Sequence, residues 1–390
     1  MRKKLAIISS HPIQYNAPLF AMLAKSEFLE IKVFYTWSQS KETLFDKDFG
    51  KTIQWDIPLL DGYTYEFVEN VSKNPGPVGY RGIICPSLNR MIREWGAEAL
   101  LVYGWNYHAH YNCMKYFKGR IPVYFRGDST LLDESGGIKQ LMRRVILTFV
   151  YRSSDFAFYV GENNRQYYLK HGFRENRLFY APHAIDNLRF SDTTGEMARD
   201  ADIWRKKLDI NEDEIVVVFV GKFEPKKNPI LLIEAATRLN KSGVHYIFVG
   251  NGLLEEQMRS AAEGNVNIHF LSFQNQSKIP VVYYMADILA LPSQGPGETW
   301  GLVVNEAMAC GKAILVSDKS GCAIDLVKHG ENGYILPSGD VDKCMELLNY
   351  MTRSRENTKK MGELSRQIIS SWSFENICRS FEKNIANAKT

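Results

Sequence analysis

A chain of 390 residues is longer than one hydrophobic core usually supports, so two domains are expected. Hydrophobic residues make up 45% and charged residues 24%, as in an ordinary globular protein able to bury a large core. The net charge of +4 is too small at this size to speak for or against nucleic acid by itself, and no nucleic-acid partner is expected.

The N-terminal stretch MRKKLAIISSHPIQ has a basic tip, but its apolar piece LAII is too short for a signal peptide and runs into polar residues. No later segment holds 18 uncharged apolar residues, so the expectation is a cytoplasmic protein without a transmembrane helix. Six cysteines, Cys85, Cys113, Cys310, Cys322, Cys344 and Cys378, are scattered without a CxxC pair and read as free, largely buried thiols.

Short apolar runs bounded by turn residues recur along the chain, most of them followed by a helical pattern. The first half has KKLAIISS, LEIKVFYTW, EALLVYGW, IPVYFRGD, SDFAFYVGE and RLFYAPHAI. The second has EIVVVFVGK, VHYIFVGNG, VNIHFLSF, ADILALPS and KAILVSD. Near-continuous apolarity points to strands buried on both faces, and the helices between them to parallel crossovers, giving an α/β, doubly wound class. Residues 187–214 are polar and hold no strand-like run, so they read as an interdomain connection. This places an N-terminal domain at 1–186 and a C-terminal one at 215–371. The closing helix spans 372–390, with Phe374, Ile377, Phe381 and Ile385 on one stripe.

Ligands of open α/β sheets bind beyond the carboxyl ends of the strands. After EIVVVFV comes GKFEPKKNP, where Asn228 and Pro229 read as the cap and first residue of a helix. Lys222 leaves the strand and Lys227 precedes the helix. Two ammonium groups beside free backbone N–H groups suit an anion, and two solvated surface lysines are the other reading. After ADILALPS comes QGPGETWGLVVNEAMACG, with a helix expected from Trp300 or Gly301 to Gly311. Glu298 then lies in the loop and Glu306 about two turns in. A glycosidase pair would need about 5 to 9.5 Å between its carboxyls, whereas eight residues of helix rise about 12 Å, so general acid/base work is disfavoured by spacing. The amides of Thr299, Trp300, Gly301 and Leu302 suit a sugar or phosphate; capping by Glu298 and a solvent-facing Glu306 stand as the alternative.

At these residues the chain resembles the family 4 glycosyltransferases. GKFEPKKNP is similar to their GR-LxxxK-G element and ETWGLVVNEAMACGKAIL to their E-x7-E element. The resemblance runs through VGNGLLEEQM, MADILALPS and GENGYILP, covering most of residues 214 to 340. The first half resembles the family more weakly, through strand order, PHAIDNLRF and HPIQYNAPLF, and the SWSFENI segment is similar to the helix that crosses back to the first domain. The resemblance implies a GT-B fold, two Rossmann-like domains around a cleft, a UDP-sugar or GDP-sugar donor, retention of anomeric configuration, and neither metal nor cofactor. It implies that Lys222 and Lys227 hold the donor diphosphate, with Gly221 a further substrate-binding residue, that Glu306 accepts from the ribose hydroxyls, and that Glu298 with the backbone of residues 299 to 302 orients the sugar. Lys222 stands where the family usually has arginine, keeping the charge but losing the planar fork.

On the N-terminal side the loop SSHPIQYNAPLF lacks the family's glycine pair, which also argues against a dinucleotide-binding dehydrogenase. His11, Gln14 and Asn16 would supply hydrogen bonds to donor or acceptor, or the loop merely caps a helix starting near Ala17. IPVYFRGDST places Arg126, Asp128 and Ser129 at a strand exit, and Asp128 falls where relatives often carry a histidine touching the donor sugar. His108 and His110, two residues apart, have no evident third metal ligand and read as acceptor contacts or packing. The run 138–152, IKQLMRRVILTFVYR, joins Lys139, Arg143, Arg144 and Arg152 to a thick apolar face; it reads as an anionic-membrane contact or as a packed helix with a basic outer face.

The resulting expectation is a retaining glycosyltransferase acting on a saccharide or lipid-linked saccharide in bacterial surface polysaccharide or glycoconjugate biosynthesis. It would be cytoplasmic, or peripheral on the inner face of the plasma membrane. A nucleotide-sugar epimerase on the same fold and an inactive nucleotide-sugar-binding scaffold are the alternatives.

Overall fold

A computed structural model describes residues 2–41, 44–46, 51–53, 55–77 and 79–386. The strands in chain order are β1 (Lys3–Ser9), β2 (Leu29–Tyr35), β3 (Leu44–Asp46), β4 (Lys51–Ile53), β5 (Tyr65–Phe67), β6 (Ala99–Tyr103), β7 (Val123–Arg126), β8 (Phe156–Tyr159), β9 (Leu178–Tyr180), β10 (Ile215–Val220), β11 (Val244–Val249), β12 (Ile268–Leu271), β13 (Ile288–Leu291), β14 (Ala313–Ser317) and β15 (Gly333–Leu336). Each apolar run named above became a strand. Strands β3, β4, β5 and β15 were not in that reading; β5 is three residues with none buried and β15 starts at a glycine with its middle residues half-buried, so neither edge strand has the continuous apolar run of a buried strand.

The chain divides into two compact units. The first comprises Met1–Leu44, Ile57–His183 and Phe374–Thr390, and its sheet runs β5-β2-β1-β6-β7-β8-β9. The second comprises Phe45–Asp56 and Ala184–Ser373, with the order β12-β11-β10-β13-β14-β15. Every neighbouring pair in both sheets is parallel; Leu5 pairs with Ala99 and Val217 with Ile288. In each sheet the first strand is central and the order reverses beside it, at β1/β6 and at β10/β13, which are the topological switch points where such sheets bind ligands. Strands β10 and β11 are buried at every residue, as helices on both faces require.

Residues 187–214 are not a bare connection. Glu196–Lys207 is a helix of the second unit, lying against the helix Ile279–Met285. The polar composition hid it because a guanidinium does much of the anchoring. Arg205 is 6% exposed and donates to the carbonyls of Met285 (2.9 Å), Asn211 (2.8 Å) and Glu214 (2.6 Å). The closing helix Phe374–Phe381 belongs to the first unit, and its expected stripe of Phe374, Ile377, Phe381 and Ile385 is buried. Phe381 meets Phe158 at 4.5 Å between ring centroids, and Tyr124 donates to the Asn384 carbonyl at 2.7 Å.

All six cysteines are free and buried. Among the described residues no helix is long and apolar enough to cross a membrane.

Candidate active site

In the second unit the site begins where β10 ends. The backbone turns at Gly221 and enters a short 3-10 turn, Pro225–Lys227. A Cβ at Gly221 would stand 3.0 Å from Cδ and 3.2 Å from Cε of Lys227, so the missing side chain lets the lysine cross back over the strand exit. Its ammonium meets Glu298 at 2.8 Å, with the two side chains only 13% and 8% exposed. The same carboxylate oxygen accepts from Ser293 Oγ at 3.2 Å. Because Ser293 follows β13, these bonds tie together the exits of the two strands at the switch point, β10 and β13. Lys222 follows Gly221 at the end of β10 and is partly buried. The cap at Asn228 is positional: the residue precedes Pro229 at φ 49° and its side chain makes no capping bond.

Residues 298–300 are fixed from the next strand exit. Gly321 N–H donates to the Glu298 carbonyl at 3.0 Å and Cys322 N–H to the Trp300 carbonyl at 3.1 Å. A Cβ on Gly321 would fall 1.7 Å from the Thr299 carbonyl oxygen, so any larger residue would push this loop away. The Trp300 side chain turns inward, donating to Asn305 Oδ1 at 2.8 Å and packing on Trp372 at 5.3 Å. Its indole is therefore structural, and only its backbone remains as a candidate contact. Thr299 and Leu302 are partly buried.

The helix runs Leu302–Ala309 with Gly301 at its N-cap, so Glu306 lies little more than one turn in rather than two. It is also not solvent-facing. Glu306 is 2% exposed and accepts from the Tyr283 hydroxyl at 2.6 Å. A buried carboxylate can accept from hydroxyl donors, and a helix N-terminus whose preceding loop holds the Lys227 ammonium suits a diphosphate.

The first unit disposes its candidates differently. Arg126 ends β7, but it is 5% exposed and donates to the carbonyls of Ala181 and Pro182, both at 2.9 Å, with its guanidinium over the Phe381 ring. It secures the chain after β9, contrary to the substrate role expected of it. His110 is likewise withdrawn: it is fully buried, with Nε2 2.8 Å from Thr36 Oγ1 and Nδ1 2.8 Å from the Gly104 carbonyl. Both ring nitrogens are engaged inside the unit, and burial lowers its pKa to about 4. His108, by contrast, starts the helix His108–Phe117 near the surface, 2.8 Å from Asn112 Nδ2. Among the described residues no group of three or more His, Cys, Asp or Glu side chains is placed to hold a metal.

Asp128 stays accessible, its side chain 45% exposed and one oxygen 4.0 Å from His183 Nε2. Burial lowers His183 to about 4, with Asp128 opposing the shift and Arg126 adding to it. His11 is lowered to about 4 by burial; its Nδ1 lies 2.9 Å from Ser10 Oγ and its ring edges onto Trp37. Gln14 is partly buried in the turn before the helix Ala17–Leu23, and Asn16 precedes that helix without a capping bond from its side chain.

Sequence reasoning missed Ser293, Tyr283, Gly321 and His183. Ser293 and His183 each follow a strand and were open to discovery by that rule. Tyr283 sits inside the apolar helix IPVVYYM and carries no signal of its own.

Two parallel α/β units, each with a switch point at the exit of its central strands, together with a C-terminal helix returned to the first unit, constitute the GT-B architecture of Rossmann-like domains. HepE of Anabaena, in a crystal structure with UDP, is similar over all of both chains with a TM-score of 0.73 at 17% identity, a likeness of fold. Residues 200–368 match the family model of glycosyl transferases group 1. That region is thus similar to the glycosyl transferases group 1, in agreement with the glycosyltransferase resemblance read from the motifs of residues 214 to 340.

Among named relatives, the lipopolysaccharide 1,2-N-acetylglucosaminetransferase of Salmonella typhimurium is 27% identical over 196 residues, 47% of this chain and 51% of that protein. The D-inositol 3-phosphate glycosyltransferase of Mycobacteroides abscessus is 34% identical over 142 residues, 34% of this chain and 31% of that one. The chain therefore spans about half or less of the length of the curated relatives it matches.

Proposed function

We propose that the chain is a retaining glycosyltransferase of family 4 that takes a sugar from a UDP-sugar or GDP-sugar and passes it to a hydroxyl of a saccharide or lipid-linked saccharide. It would act in the cytoplasm, in the assembly of a bacterial surface polysaccharide or glycoconjugate. The Lys227–Glu298 pair carries this reading, because it sets a largely buried ammonium and a buried carboxylate at the switch point of the region that matches the glycosyl transferases group 1. The names of the relatives, a lipopolysaccharide N-acetylglucosaminetransferase and an inositol phosphate glycosyltransferase, support it.

In this reading Lys222 and Lys227 stabilise the negative charge that grows on the departing diphosphate, where the barrier lies. The ammonium groups serve the role a divalent ion serves elsewhere. Glu306, held by Tyr283, accepts from the ribose hydroxyls. Glu298 positions both Lys227 and the sugar, and the attacking hydroxyl enters on the leaving-group face so that configuration is kept. No side chain acts as a covalent nucleophile.

The test is a thermal-shift screen of nucleotides and nucleotide sugars, followed by incubation with the labelled donor that binds. One of UDP or GDP is expected to raise the melting temperature by mass action, and Glu306→Ala to weaken its binding at least about tenfold. Absence of any nucleotide effect, together with neither transfer nor slow donor hydrolysis, would overturn the reading.

A further inference from the structure

The helix Ile138–Tyr151 has two apolar faces. Leu147, Val150 and Tyr151 are buried in the first unit. Opposite them stand Ile138, Leu141, Met142, Val145, Ile146 and Phe149, each between 50% and 79% exposed. At about 100° per residue these six occupy an arc of roughly 140°, an amphipathic stripe turned outward instead of inward. Soluble surfaces rarely leave such a contiguous apolar strip uncovered.

The charges on the helix itself share one sign. The helix contains Lys139, Arg143 and Arg144 and no acidic residue. Arg152 follows, with its guanidinium 5.1 Å from the Phe149 ring centroid. Arg152 also lines a cavity of about 420 Å³ together with Arg174, Arg177, Thr148 and Ser154, and no carboxylate lines it. The nearest acids in sequence are committed elsewhere: Glu175 to Arg165 at 2.7 Å, Glu134 to Lys170 at 2.7 Å, and Asp155 to Lys118. Among the described residues Arg152, Arg174 and Arg177 form no ion pair. An arginine-walled cavity at the end of an exposed apolar stripe offers a phosphate site beside a hydrocarbon site.

We propose that this face docks on an anionic phospholipid bilayer, with the stripe entering the acyl boundary and the cavity of Arg152, Arg174 and Arg177 taking a phosphate-bearing headgroup. A second copy of the chain fits less well, because it would set one all-basic helix against another. The assignment does not depend on the proposed transferase activity. It reads the run 138–152 as both packed helix and membrane contact, the two uses falling on opposite faces.

The experiment is co-sedimentation of the full chain with vesicles of phosphatidylcholine alone and of phosphatidylcholine with phosphatidylglycerol. Binding is expected only to the mixed vesicles and should decline with added salt. Ile146→Ser with Phe149→Ser, and separately Arg174→Gln with Arg177→Gln, should each weaken it at least about tenfold without changing the melting temperature. A third pair, Lys226→Gln with Lys319→Gln on the second unit, should leave it unchanged. Equal binding by all variants overturns the proposal. So does a concentration-dependent dimer lost in the Ile146/Phe149 variant, and so does a cavity that responds to inorganic phosphate in solution while the protein ignores both kinds of vesicle.

Discussion

The two units share a topology but spend their strand exits differently. In the second, charged residues after the strands pair with one another at the switch point, as Lys227 does with Glu298. In the first, Arg126 and His110 are drawn into the interior and satisfied by carbonyls and a hydroxyl. A polar residue after a strand is thus only an invitation to a ligand. What decides is whether its hydrogen-bonding capacity is already consumed by the fold.

The largest effect that would sharpen this contrast is expected at Lys227. Lys227→Met leaves Glu298 buried without its cation, which costs about 3 to 5 kcal/mol for a buried pair broken on one side. Turnover should fall about 10²-fold to 10³-fold, the loss typical of a removed charge-stabilising donor. Denaturant unfolding and single-turnover kinetics of this variant and of Lys227→Met with Glu298→Gln separate the two. The double variant should regain stability but not rate. Recovery of rate in the double variant would break the catalytic half of the comparison.

Next comes pH, acting on the first unit. His110 is lowered to about 4 by burial from an ordinary value near 6.5. Above pH 6.5 the ring is neutral in both states and contributes no pH dependence. Between 6.5 and 4 the unfolded chain binds a proton that the folded chain refuses, so stability falls as pH falls, by about 3 kcal/mol for this group alone. His11 and His183 act in the same direction. Urea unfolding at pH 7 and pH 4.5 should show the loss, and His110→Gln should flatten part of it while leaving nucleotide binding unchanged. If His110→Gln abolished nucleotide binding, the residue would have to be returned to the site.

The smallest effect on folding is expected at Asp128. Its accessible carboxylate should tolerate Asp128→Asn within about 0.5 kcal/mol, measured by denaturant unfolding. A larger loss would show that Asp128, like Arg126, belongs to the scaffold.

Most of the fold was legible because strands buried on both faces are nearly continuous apolar runs, and β10 and β13 could be read without help. The edge strands β5 and β15 and the helix Glu196–Lys207 were not, since short edges and a helix anchored by Arg205 leave no apolar period. At the candidate site, Lys227, Glu298 and Glu306 were singled out from motif spacing. Spacing did not show that Lys227 and Glu298, 71 positions apart in sequence, would meet, because their contact depends on β10 and β13 being neighbours. Nor does any local pattern distinguish His108 at the surface from His110 in the interior, when only about half a helical turn separates the two environments.

The closing helix has a consequence for synthesis. The first unit takes in Phe374–Phe381, whose Phe381 covers Phe158 and the Arg126 guanidinium. A ribosome making this chain finishes every residue of the second unit before it emits that helix. Of the two units, the one that comes first in sequence is therefore the second to be completed, and until then Phe158 lacks its Phe381 cover. Domains normally mature in order of synthesis; here the order is inverted, and a chain released early would strand its N-terminal half with that hydrophobic seam open.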